Sequence, residues 1–180
     1  RTMCTSLDAS IVLSLKNFDQ AIFKNDSLLY LEGYLFDKNE TKQAMIDLCK
    51  IARKKGSLIS LSLSDSFCVE RHRKDFLSLI KNYVDILFGN SQEIEALLNG
   101  QAQEKMSSIV EIAVVTNGPK GANIYNANDT TFIPPIAGLD VLDTTGAGDL
   151  FAAGFLFGFS KKLALDTCGK LATKSASHII

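Results

Sequence analysis

"VLDTTGAGDLFAAGFLFG", residues 141–158, joins a glycine turn, one carboxylate and a nearly uncharged run. Gly146 and Gly148 allow backbone conformations that other residues resist, and they let a ligand approach closely. The turn predicts a helix from about Ala147, whose first N–H groups have no intrahelical partner. Those amides and the helix dipole favour a bound anion. Asp149 falls in the first turn, where its negative charge is favoured. An ionised carboxylate beside an anion hole can take a hydroxyl proton while the amides hold a transferring phosphoryl group. The run that follows, "LFAAGFLFGF", is apolar on every face and predicts a helix buried at the domain centre. Gly154 and Gly158 would let neighbours pack closely against it.

Working outward, apolar runs alternate with amphipathic segments. A strand starts in 27–36, and 39–56 reads as a helix with Ala44, Ile46, Leu48, Ile51 and Ala52 apolar and Gly56 closing it. Strands are predicted over 57–63, 83–89 and 111–118, and helices over most of 67–82 and over 91–100. The second of these helices is capped by Ser91 or Asn90 and stopped by Gly100. Residues 121–135 read as a hairpin turning at "NAND", and a last helix runs from about Leu163 to the end. The pattern predicts one α/β domain over 1–180, a doubly wound, mainly parallel sheet with helices on both faces. Ligands in such sheets sit at the carboxyl ends of the strands.

Bulk properties exclude several classes. The 180 residues are 46% hydrophobic and 22% charged, with a net charge of −1. That balance gives no reason to expect nucleic acid or a membrane surface as partner. No apolar stretch is long enough to span a bilayer, and no signal peptide is visible. Cys4, Cys49, Cys68 and Cys168 form no CxxC pair, and scattered thiols suit a reducing cytoplasm. A Walker GxxxxGK[ST] loop and the protein-kinase GxGxxGxV and HRD signatures are absent. The opening Arg1 and the closing "SASHII" read as the ends of a piece of a longer protein.

"DTTGAGDLFAAGF" resembles, without a gap, the C-terminal signature of the ribokinase-like, or PfkB-type, carbohydrate kinases. "NSQE" (90–93) matches the family's Asn-x-x-Glu element, and "TNGPKG" (116–121) its Thr-x-Gly-x-x-Gly nucleotide loop. "RTMCT" (1–5), "YLEGYLFD" (30–37) and "SDSFCVERHR" (64–73) are similar to the bacterial adenosine-kinase-like branch. The resemblance implies ATP-dependent transfer of a phosphoryl group to a hydroxyl of a sugar or nucleoside. Asp149 would be the base and the backbone of Gly146, Ala147 and Gly148 the anion hole. Asn90 would lie near the nucleotide phosphates, and Glu93 would organise Mg²⁺ through water. Thr116, Asn117, Gly118 and Gly121 would line the nucleotide, and Ala172, Ser175 and Ala176 the base pocket. Glu32 would face the acceptor, and Asp143 with Thr145 would lie near a monovalent cation such as K⁺.

The same resemblance implies a homodimer for the full-length protein, paired through a lid of β-strands. The family's Gly-Gly-Asn region, early Asp and lid are not found in this sequence. The alternative function is therefore a nucleotide-binding fragment without turnover, the acceptor-binding half being absent. Each residue also has a structural reading. Asn90 can be only an N-cap, Glu93 only a first-turn acid, Thr116 to Gly118 only a turn, and Asp149 only a helix cap. "ERHRK" (70–74) reads as a solvated helix face rather than a phosphate clamp.

Overall fold

The computed structural model describes residues 8–127 and 129–180, among which six five-residue strands and five α-helices are joined by loops and short 3₁₀ helices. The side chains of Asp8 and Ile11, the segment "RTMCT" with Cys4, and Asn128 of the "NAND" turn lie outside the described residues. The chain forms two compact units, Arg1–Leu87 and Phe88–Ile180.

The first unit contains β1 (Leu28–Glu32), α1 (Asn39–Lys54), β2 (Leu58–Ser62) and α2 (Ser66–Tyr83). β1 and β2 are parallel, in register from Leu28 opposite Leu58 to Glu32 opposite Ser62. The α1 stripe that is buried comprises Thr41, Ala44, Met45, Leu48, Cys49 and Ala52, successive three- and four-residue steps on one face. Ile46 and Ile51, expected within it, stand on its margins and are half-buried. β1 stops at Glu32 and gives way to a 3₁₀ turn, Gly33–Asp37. A Cβ at Gly33 would lie 2.6 Å from the Leu63 carbonyl oxygen, so only glycine permits the approach of the β1 end to the β2 end.

α2 is N-capped by Asp65, whose Oδ1 accepts from the Cys68 amide at 2.7 Å, and it kinks at His72 (φ −115°, ψ 16°). There His72 Nε2 meets Asp37 Oδ1 at 2.8 Å and Arg71 Nη2 reaches both oxygens of that carboxylate at 3.0 Å. The "ERHRK" segment is therefore tied into an ion-pair cluster rather than merely solvated.

β3 (Ile86–Asn90) closes the first unit and opens the second. The second continues with α3 (Ser91–Leu98), β4 (Ile112–Thr116), β5 (Ala122–Asn126), β6 (Asp129–Ile133), α4 (Ala147–Ser160) and α5 (Leu165–Ala176). β4, β5 and β6 are antiparallel neighbours, so the α/β architecture has a mixed sheet that includes the expected hairpin. The reason is local: five residues join β4 to β5 and two join β5 to β6, too few for a crossover helix.

α5 lies against this antiparallel part, where a Cβ on Gly169 would come within 2.5 Å of Ile133 and 3.0 Å of Ile124. α4 in turn packs on α5. A Cβ on Gly154 would meet Ser175 Oγ at 2.5 Å, Ala172 Cα at 2.9 Å and the Leu171 carbonyl oxygen at 2.9 Å. Gly158 is similarly close to Cys168 and Leu171. Phe155 of α4 also meets Phe88 of β3 edge-on, ring centroids 5.4 Å apart. The expected burial of α4 on all faces is corrected: Phe151, Ala152, Gly154, Phe155 and Gly158 are buried, but Phe157 is 59% exposed. Among the described residues no helix is long and apolar enough to cross a membrane.

Gly154→Ala is expected to lower thermal stability by about 1–3 kcal/mol, because the overlap with α5 backbone outweighs alanine's helix preference of about 1 kcal/mol. A thermal melt checks this, and an unchanged or raised melting temperature would show that the two helices are not packed through this glycine.

Candidate active site

Asn90 ends β3 and caps α3, so one residue passes the chain from strand to helix. Its side-chain oxygen accepts from the amides of Gln92 and Glu93, each at 2.9 Å. Glu93 answers in reverse: Oε2 accepts from the Asn90 amide at 2.9 Å and Oε1 from Asn90 Nδ2 at 2.6 Å. This reciprocal capping box satisfies donors that a helix start leaves orphaned. It also holds a buried carboxylate in one orientation, with Asn90 donating to both of its oxygens.

Thr116 ends β4, and the following residues make a tight turn into β5. The Asn117 amide donates to the Gly121 carbonyl at 2.8 Å, and the Gly121 amide donates to the Gly118 carbonyl at 3.1 Å. Gly121 has φ 89°, and a Cβ there would collide with the Ile133 carbonyl oxygen, so the loop requires glycine at this point. Thr116 and Asn117 are half-buried and Gly118 is exposed.

Further along, Asp143 Oδ1 accepts from the Thr145 amide at 3.0 Å and from its hydroxyl at 2.8 Å. Gly146 follows at φ 80°, the left-handed conformation that turns the chain into α4. Ala147 is the first helical residue, but its amide donates to the Thr144 carbonyl at 3.1 Å. The Ala147 amide is thus paired within the turn that leads into the helix. The amides of Gly148 and Asp149 follow it in the opening turn, where a helix leaves donors unpaired. Gly148 is helical rather than left-handed, so conformational freedom is not its role. A Cβ there would meet nothing within 4 Å, so the space above the turn is open.

Asp149 is exposed in the first turn of α4. Gly146, at the N-cap, has no side chain with which to cap the helix, and Asp149 is the third residue of α4. Asp149 is thus a helix-start carboxylate turned to solvent, beside amides of the same turn. The three small residues of α5 are placed differently from one another. Ala172 is fully buried under Gly154, so its smallness serves helix packing, and the Ser175 hydroxyl also lies towards Gly154. Ala176 ends the helix half-buried.

Every expected site residue except Glu32 belongs to the second unit. Glu32 ends β1 in the first unit, half-buried, and its Oε2 accepts from the Ser64 hydroxyl at 2.9 Å. Ser64 was not singled out from sequence, because a serine in "SDS" carries no signal beyond a turn. In the same unit Asp37, Cys68 and His72 bring one donor atom each within 4.8 Å of the others. Burial acts to raise the Asp37 pKa, but hydrogen bonds from His72 and Arg71 override it and hold the carboxyl below its ordinary value. Arg71 thus supplies the counter-charge, and a cation placed there would face that guanidinium.

The profile of the pfkB family carbohydrate kinases matches residues 1–180. A nucleoside kinase from Methanocaldococcus jannaschii is 34% identical over 113 residues, 61% of this chain and 37% of its own length. The crystal structure of a probable sugar kinase from Rhizobium etli CFN 42 is similar with a TM-score of 0.89 at 37% identity, over 94% of this chain and 53% of that one. An adenosine kinase from Sinorhizobium meliloti is similar with a TM-score of 0.89 at 34% identity, over 94% of this chain and 54% of that one. The chain therefore spans about half the length of these solved relatives.

The capping box generates a graded expectation. Glu93→Ala should cost about 1–2 kcal/mol of stability, whereas Glu93→Gln, which can still serve at this position of the box, should stay within about 0.5 kcal/mol of the parent. Denaturant titration checks the order, and equal losses in the two variants would contradict the reciprocal cap.

Proposed function

Since the chain belongs to the pfkB family of carbohydrate kinases, we propose that the protein transfers the γ-phosphoryl group of ATP to a hydroxyl of a sugar or nucleoside, with Asp149 as general base. The observation that carries this reading is the exposed Asp149 carboxylate in the opening turn of α4, directly after the left-handed Gly146. Its oxygen takes the acceptor's hydroxyl proton as the new O–P bond forms and the bond to the ADP oxygen breaks. The amides of Gly148 and Asp149 stabilise the charge on the moving phosphoryl group. Ala147 is left out of that role because Thr144 holds its amide.

The nucleotide lies along the turn of Thr116, Asn117, Gly118 and Gly121, with Asn90 towards its phosphates. The base contact on α5 falls to Ser175 and Ala176, Ala172 being covered by Gly154. Mg²⁺ would neutralise charge on the phosphates. The residues present fit it through water rather than by direct ligation, since both Glu93 oxygens already accept a bond from Asn90. Asp143 and Thr145, already joined to each other, are the residues proposed to border a K⁺ ion. The neighbours described as adenosine kinase and nucleoside kinase favour an adenosine-like acceptor, with a sugar as the alternative. Turnover is proposed for the full-length protein, together with a cytoplasmic location and a homodimer. For the 180 residues alone the proposal is nucleotide binding, since the acceptor-gripping motifs of the family are not found in this sequence.

Asp149→Asn in the full-length protein should reduce kcat by about 10²–10⁴-fold, the scale of a lost general base. Nucleotide affinity should be nearly unchanged. Stabilisation by MgADP reads the second quantity: ligand at about 100 times its Kd adds roughly 2.7 kcal/mol. Near-normal turnover in the variant would remove Asp149 as the base, and no stabilisation of the parent by MgADP would remove the kinase reading itself.

A further inference from the structure

We infer that Ser64 is the positioning residue that aims the Glu32 carboxylate at the acceptor. The inference rests on the proposed kinase function, in which Glu32 faces the acceptor. Its geometry lies wholly in the first unit, where the ends of β1 and β2 run side by side with Glu32 opposite Ser62. Two residues beyond Ser62, the backbone makes a three-residue turn. The Asp65 amide donates to the Leu63 carbonyl at 2.9 Å, with Ser64 in the middle at φ 70°. A γ-turn with positive φ at its central residue is rare and strained, and an L residue with a side chain adopts it reluctantly. Glycine would occupy this position without that strain.

A serine held in such a conformation has a side chain put to use, because strain of this size persists only where the surroundings impose it. Here the hydroxyl is engaged on both sides. It accepts from the Gly33 amide at 2.8 Å and donates to Glu32 Oε2 at 2.9 Å. The donor chain from amide to hydroxyl to carboxylate polarises in one direction, so each bond strengthens the next. Gly33 is packed closely against this turn, since a Cβ there would strike the Leu63 carbonyl. The relay therefore starts from backbone held close to Ser64. One Glu32 oxygen is pinned by the relay, which sets the direction in which the carboxylate is presented at the end of its strand.

The strain allows a test that separates positioning from folding. Ser64→Gly removes the hydroxyl and relieves the backbone, so the melting temperature should be unchanged or higher. In the full-length protein, with the best acceptor among adenosine, cytidine, ribose and fructose, the variant should raise the acceptor KM about tenfold, the effect of one hydrogen bond to a charged group. The KM for ATP should stay within twofold. Glu32→Gln alone should raise the acceptor KM as well, and adding Ser64→Gly to it should change that KM by less than twofold, because the two residues act through one bond. An unchanged acceptor KM in Ser64→Gly would overturn the inference, as would multiplicative effects in the double variant or equal rises for acceptor and ATP. If Glu32→Gln leaves the acceptor KM unchanged in an active enzyme, Glu32 does not meet the acceptor and the inference falls while the kinase reading stands. If the parent phosphorylates none of the four acceptors and MgADP does not stabilise it, the kinase reading has failed first and the inference falls with it.

Discussion

Gly146, in the left-handed conformation at φ 80°, is the constraint on which the second unit's site depends. An L residue with a side chain would pay about 1–2 kcal/mol to adopt it, and its Cβ would press on Ile179 at 3.2 Å. The turn there converts an irregular segment into α4 within one residue, which brings Asp149 to solvent at the helix start. Farther along the same helix, Gly154 and Gly158 seat it on α5, and Gly169 seats α5 on β5 and β6. Glycine at each interface removes the side chain that would separate the layers. A shallow stack of close contacts thus connects the Asp149 turn to the antiparallel strands whose first turn carries Thr116 to Gly121.

Structural and chemical roles coincide at several of these residues. Asn90 and Glu93 complete a capping box, which accounts for both side chains without any ligand. Completing it also leaves a buried carboxylate in a fixed orientation, as a site that works through ordered water requires. Asp149 is the third residue of α4, behind an N-cap glycine that has no side chain to offer the helix start. A carboxylate favoured by the dipole and exposed to solvent is suited to exchange a proton.

The sequence disclosed features governed by local rules, and the structure bears out the strand and helix alternation. It disclosed the glycine stop after α3, the "NAND" hairpin and the packing role of Gly154 and Gly158. Features set by long-range contacts were not legible. The β5–β6 hairpin was legible, but the antiparallel pairing of β4 with β5 depends on a five-residue turn that the alternation of elements does not reveal. Phe157 is exposed although its surrounding run is apolar on every face, since composition does not say which face meets another element. The amide of Ala147 is taken by Thr144, a bond that depends on the turn before the helix. Ala172 packs against Gly154 across the helix pair, a contact that the sequence does not announce. Ser64 gave no signal because its strain exists only in the folded backbone.

A crystal structure of the full-length protein with MgADP and its acceptor tests the central claim most directly. The account predicts the acceptor hydroxyl within hydrogen-bond reach of the Asp149 carboxylate, about 2.6–3.2 Å, with the ADP phosphates on the Thr116 to Gly121 side of the same cleft. An acceptor hydroxyl seated elsewhere, with Asp149 facing only solvent in the closed complex, would contradict it.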